Sequence, residues 1–86
     1  MNTLYLTKIA GSPFTFGPNN SVFGYSTPEA ATAAATKWPA HSRPTMEVHA
    51  ATFTQIHAEH PENVLEATAL NLVSLLRIAT LPGGHN

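Results

Sequence analysis

The sequence predicts an α+β fold: a small antiparallel sheet of three or four strands with two main helices packed on one face. Three observations carry this expectation. Ser26-Thr27-Pro28-Glu29-Ala30-Ala31 is a helix start. Ser26 or Thr27 can accept a hydrogen bond from an orphan amide, Pro28 has the φ of a first turn and lacks only a donor that would go unused, and Glu29 complements the positive end of the helix dipole. With Ser26 as the cap, Ser26 and Glu29 would form a capping box. Just ahead of it, the aromatic and β-branched run Ser21-Val22-Phe23-Gly24-Tyr25 reads as a strand. Downstream, from Pro61 to about Thr80, Leu65, Ala69, Leu72, Leu75, Leu76 and Ala79 recur at helical spacing.

Each element follows in chain order. Leu4-Tyr5-Leu6-Thr7-Lys8-Ile9 alternates as a half-buried strand, and Gly11-Ser12-Pro13 ends it. Phe14-Thr15-Phe16 and Val22-Phe23-Gly24-Tyr25 flank Gly17-Pro18-Asn19-Asn20, residues that tolerate turn dihedrals, so a β-hairpin is expected, with Phe14 and Phe16 on one face. Pro13 and Pro18 push its first strand to an edge. The helix from Pro28 is expected to end near Trp38, since Pro39 blocks continuation. Ala30, Ala34 and Trp38, with Ala31 and Ala35 alongside, give it a small-residue stripe anchored by the indole.

Thr45-Met46-Glu47-Val48-His49-Ala50 alternates as a further strand, with Met46, Val48 and Ala50 pointing one way. Its far end is open to two readings. Thr52-Phe53-Thr54-Gln55 fits a capping box before a short helix, and the alternation of Thr52, Thr54 and Ile56 fits a longer strand. The second helix then opens at Pro61, with Glu62 and Glu66 near its start and Arg77 near its end, and Leu81-Pro82-Gly83-Gly84 closes it before a fraying His85-Asn86.

Bulk properties exclude several classes. The 86 residues are 43% apolar and support one domain, residues 1–86, with a modest core. Four Lys and Arg against five acids leave a net charge of −1, and Lys8, Lys37, Arg43 and Arg77 lie far apart, which disfavours direct binding of nucleic acid. No cysteine is present, which removes disulfides, thiolate chemistry and the commonest zinc ligand. Met1-Asn2-Thr3-Leu4 begins no secretion signal, and Glu66, Asn71, Ser74 and Arg77 interrupt the longest apolar stretch, so no membrane span and a cytoplasmic location are expected.

Catalytic patterns are weak. His41, His49, His57, His60 and His85 are the chemically suggestive residues, and a helical His57-Ala58-Glu59-His60 would put two imidazoles on one face. The zincin pattern needs a spacing of four where this one is three, and a catalytic metal needs about three protein ligands. No Gly-x-Ser-x-Gly elbow is present. Glu62 and Glu66 share the spacing of paired carboxylates, which is also that of dipole and solubility residues in a first helical turn. Gly11-Ser12 and Gly83-Gly84 lack the strand-glycine-helix setting of a phosphate cradle. No cofactor, metal site or catalytic residue is expected.

What remains is surface. On the wheel of the second expected helix, Leu70 sits with Asn63, Ser74 and Arg77 rather than with the leucines, and Phe14 and Phe16 offer aromatic anchors. These six residues form the expected protein-interaction set. The strand, turn and alanine-rich helix entry Phe23-Gly24-Tyr25-Ser26-Thr27-Pro28-Glu29-Ala30-Ala31, on a compact chain without catalytic motifs, resembles small phage and mobile-element proteins that inhibit bacterial defence, the anti-CRISPR class. That resemblance implies a non-catalytic inhibitor that occludes a defence complex stoichiometrically in the host cytoplasm. The alternatives are a housekeeping interaction module or homodimeric accessory subunit, and a small metal-dependent hydrolase. The chain is expected to be a monomer or homodimer with a protein partner.

Overall fold

The computed structural model describes residues 2–84, so the expected fraying of His85 and Asn86 lies outside the described residues. One six-stranded antiparallel sheet organises them, in the order β4-β5-β2-β1-β3-β6, where β1 is Asn2–Ile9, β2 Ser21–Tyr25, β3 Met46–Phe53, β4 Ala58–His60, β5 Val64–Thr68 and β6 Leu72–Leu81. Among the described residues a single α-helix, α1, spans Pro28–Ala35 and lies across β1, β3 and β2. The expected sheet of three or four strands with two helices on one face is therefore corrected to six strands and one helix.

The correction lies in residues 61–80. Pro61-Glu62-Asn63 is a hairpin turn between β4 and β5, with Glu62 and Asn63 both left-handed at φ 64° and 63°. Thr68 caps a single 3-10 turn, Ala69–Asn71, and the chain leaves it as β6. Val64, Thr68, Val73, Ile78 and Thr80 are β-branched and fit a pleated surface, and cross-strand partners override the helical preference of the leucines and alanines among them. Of the charges that suited a helix dipole, Glu66 and Arg77 instead bond across strands, Glu66 to His60 at 2.8 Å and Arg77 to Glu47 at 3.5 Å, while Glu62 lies in the turn.

The expected Phe14-Phe16 hairpin is also absent, because residues 11–17 carry no strand and β2 pairs with β1 and β5 instead. The first helix starts as expected, with Thr27 as its cap: the Ala30 N–H donates to Thr27 Oγ1 at 3.1 Å and Pro28 occupies the first turn. It ends earlier. Thr36 donates its hydroxyl back to the Thr32 carbonyl, and Trp38, expected to anchor the buried face, is 49% exposed beyond the helix end. Of the two readings for residues 52–56, the longer strand holds as far as Phe53.

Connectivity forces this sheet to curl. β5 and β6 stand four positions apart, about 19 Å in a flat sheet, yet Thr68 and Leu72 are joined by a chain that spans at most about 15 Å. The concave side is filled by Leu4, Leu6, Val22, Ala51, Phe53 and Ala67, with Phe14, Ile56, Leu65 and Ala69 packed on them. Strand alternation sends Met46 and Val48 to the convex side, where α1 buries Ala31 and Ala35. Alanine there lets the helix backbone approach closely.

Candidate functional site

Two regions combine chemistry or exposure in a way packing alone does not require. The first is polar, at one end of the concave side. The β1–β3 register sets Lys8 opposite Glu47 and Leu6 opposite His49, and β6 brings Arg77 opposite His49. Glu47 then holds Lys8 at 3.1 Å and Arg77 at 3.5 Å, with His49 Nε2 3.8 Å away. Phe14 closes over this cluster, its ring edge-on to His49 at 4.9 Å and under the Lys8 ammonium at 5.6 Å.

The electrostatics of that cluster are structural in character. Its hydrogen bond with Lys8 holds the Glu47 carboxyl below the usual carboxylate range against the opposing effect of burial, with the charges of Lys8, Arg77 and His49 adding to the depression. Burial pushes the His49 imidazole down, only partly opposed by Glu47. His49 is 9% exposed, and its Nδ1 has no hydrogen-bond partner among the described residues. A neutral buried ring and a carboxylate held between two cations tie β1, β3 and β6 together. Beside them β1 and β2 meet in register only at Tyr5 and Tyr25, and a cleft of about 380 Å³ opens between the diverging strands, lined in part by Lys8, Phe14, Phe16 and Phe23.

The second region is the β6 edge. β6 pairs with β3 on one side, and its other side is the end of the sheet. Leu72, Val73, Leu75, Leu76 and Ile78 are all exposed, Leu76 at 65%, and Leu70 in the preceding turn reaches 80%. Register against β3 places Leu75 and Arg77 on the concave side and Ser74 and Leu76 on the convex side, with irregularities at Val73 and Ile78. Exposed apolar groups therefore flank this edge above and below. A single charge, Arg77, interrupts its ten residues. Long, exposed, apolar edge strands recruit another strand unless something blunts them.

The expected interaction residues divide between these regions. Leu70, Ser74 and Arg77 come together along β6, on a strand and turn rather than one helix face. Asn63 is separated from them in the β4–β5 turn, at the far edge of the sheet. Phe14 is half-buried over His49, and Phe16 is exposed at the rim of the cleft. His57 and His60, expected on one helical face, flank and end β4; His60 instead bonds Glu66 and lies 5.7 Å from the Phe23 ring. Among the described residues, no three His, Asp or Glu side chains gather to hold a metal ion.

Sequence reasoning passed over Glu47, His49 and Lys8 as a group, although the alternation of Thr45–Ala50 already set Glu47 and His49 opposite Met46 and Val48. It also passed over the β6 edge, whose signal was the β-branched set Val73, Ile78 and Thr80 following the turn residues Thr68 and Asn71. Among the described residues, no helix is long and apolar enough to cross a membrane. No protein-family model matches the chain, and no curated protein or solved structure is significantly similar to it.

Proposed function

We propose that this protein is a non-catalytic protein-binding module whose binding surface is the β6 edge together with Leu70. The exposure of Leu72, Val73, Leu75, Leu76 and Ile78 along one unpaired strand edge carries this reading. Strand addition supplies main-chain hydrogen bonds, and the flanking leucines supply apolar contact. Two of the four basic side chains, Lys8 and Arg77, lie against Glu47, which favours a protein partner over nucleic acid. The narrower form of the reading is an inhibitor that occludes a bacterial defence complex; its support is the resemblance of residues 23–31 to such proteins.

The test combines turnover and surface probes. Purified protein is expected to be inert toward esters, phosphodiesters and peptides, and Leu76→Lys and Leu70→Glu should each reduce binding of an apolar reporter dye while the thermal midpoint stays within a few degrees. Turnover abolished by His49→Gln would overturn the reading and move function to the concave polar cluster. The narrower form requires that the protein suppress interference by a defence complex at stoichiometric dose, with Leu76→Lys impaired.

A further inference from the structure

We infer that the partner of the β6 edge is a second copy of this chain, joined antiparallel about a twofold axis at Leu76 so that two six-stranded sheets become one of twelve strands. This rests on the reading of β6 as the binding edge, and the two edges of the sheet supply the argument for a second copy. β4, at the other end, has three residues, Ala58–His60, two of them polar, and Pro61 follows at once. It is blunted in the ways that stop strand addition. β6 has ten residues and one charge, and its irregularities at Val73 and Ile78 leave the regular run Ser74–Arg77 open between them. A molecule with one open and one blunted edge associates through like edges and stops at two, because an isologous contact consumes the open edge of both copies.

The chemistry of β6 suits its own copy. Its apolar groups are exposed on both sides of the sheet, Leu75 on the concave side and Leu76 on the convex side. An occupant that extends the sheet covers both, whereas one resting on a face covers one. A second β6 brings the same length and the same two-sided pattern. Copies of net charge −1 repel little. Leu72, Val73, Leu75, Leu76 and Ile78 are each more than a third exposed, a continuous apolar surface that a second copy of the same strand would cover.

The register follows from symmetry. A twofold perpendicular to a continuous antiparallel sheet pairs residues of the same side, so it must set some residue against itself. The middle of Leu72–Leu81 falls between Leu76 and Arg77. An axis at Arg77 opposes like charges, which is destabilising. An axis at Leu76 sets the most exposed leucine of the strand against its copy and Arg77 against the aliphatic Leu75.

The absence of cysteine makes the register directly testable. Leu76→Cys is expected to form a disulfide-linked dimer under mild oxidation, since directly opposed Cα atoms fall within disulfide range, while Glu59→Cys on the β4 edge should not. Sedimentation of the wild-type chain should give twice 9.2 kDa at high protein concentration, and Leu76→Lys should weaken self-association at least tenfold with the fold intact by circular dichroism. A wild-type mass of 9.2 kDa at every concentration, open-ended growth, or crosslinking at Glu59→Cys rather than Leu76→Cys would each overturn the proposal. Hydrogen exchange separates the two readings. In a monomer, rapid exchange of the β6 amides that point away from β3 rejects the second copy and leaves the binding edge standing, whereas protection of those outward amides rejects both.

Discussion

Gly24 occupies a strand position that admits no side chain. A Cβ there would stand 2.7 Å from Leu6 Cδ2, 2.9 Å from Leu4 Cβ and 3.1 Å from the Tyr5 carbonyl oxygen. Gly24→Ala should therefore destabilise the protein by about 1–3 kcal/mol, the range of overpacked cores, in chemical denaturation. Glu62 is the opposite case, a non-glycine residue at φ 64°. Glu62→Gly should be neutral or stabilising by up to ~1 kcal/mol, because left-handed backbone costs an L-residue about that much. Titration adds a third expectation. His49 is held below its ordinary 6.5 and Glu47 below its ordinary 4.5. The unfolded chain thus binds protons first at both sites, and stability falls in two stages as pH drops, one beginning below 6.5 and one below 4.5. Thermal midpoints measured from about pH 8 down to about pH 2 should show His49→Gln losing the upper stage and keeping the lower.

Helix α1 and strand β6 show how differently two elements depend on their surroundings. α1 is written locally: Thr27 accepts the Ala30 amide, Pro28 fits the first turn, and Ala31 and Ala35 bury without bulk. Thr27→Ala should cost about 1 kcal/mol, the usual loss of a cap, measured as a fall in denaturation midpoint. β6 is written by its partner. Its leucines and alanines suit a helix, and the pairing of Met46–Phe53 with Leu72–Leu81 makes it a strand. Because β6 leans on β3 along one side only, Leu76→Lys is expected to leave the midpoint within a few degrees. By contrast Phe53→Ala, removing a side chain 1% exposed on the neighbouring strand, should cost about 3–5 kcal/mol.

The whole chain is assembled from distant pairings. β4 and β5 form the one tight hairpin, whereas β1 meets β3 across some forty residues, and β3 meets β6 after β4 and β5 have gone to the far side of the sheet. Folding should accordingly be slow for so small a protein, in the milliseconds-to-seconds range of non-local β topologies, observable by stopped-flow fluorescence of Trp38. Val48→Ala, in the strand that pairs with both β1 and β6, should destabilise the sheet. The short Ala69–Asn71 link also draws the β5 and β6 ends together, so that lengthening it by several glycines should relax the curl and loosen the contacts around Ala67 and Phe53, read as faster hydrogen exchange there.

Local chemistry in the sequence was enough for the first strand, for Met46, Val48 and the alternation around them, and for the Thr27-Pro28 helix start, because caps, proline and period-two burial act within a few residues. Leu70 stood out only on a helical wheel that the strand pairing overturns; its 80% exposure belongs to the turn before β6, with Asn63 at the opposite edge of the sheet. Local chemistry could not carry residues 61–80, where helical spacing and strand composition coexist in one segment. There the outcome rests on partners remote in the chain: β2 and β4 for Val64–Thr68, and β3 for Leu72–Leu81. The ion cluster of Lys8, Glu47, His49 and Arg77 and the open apolar edge exist only after those pairings form, since neither a charge cluster spread over three strands nor the end of a sheet is a property of any single stretch of chain.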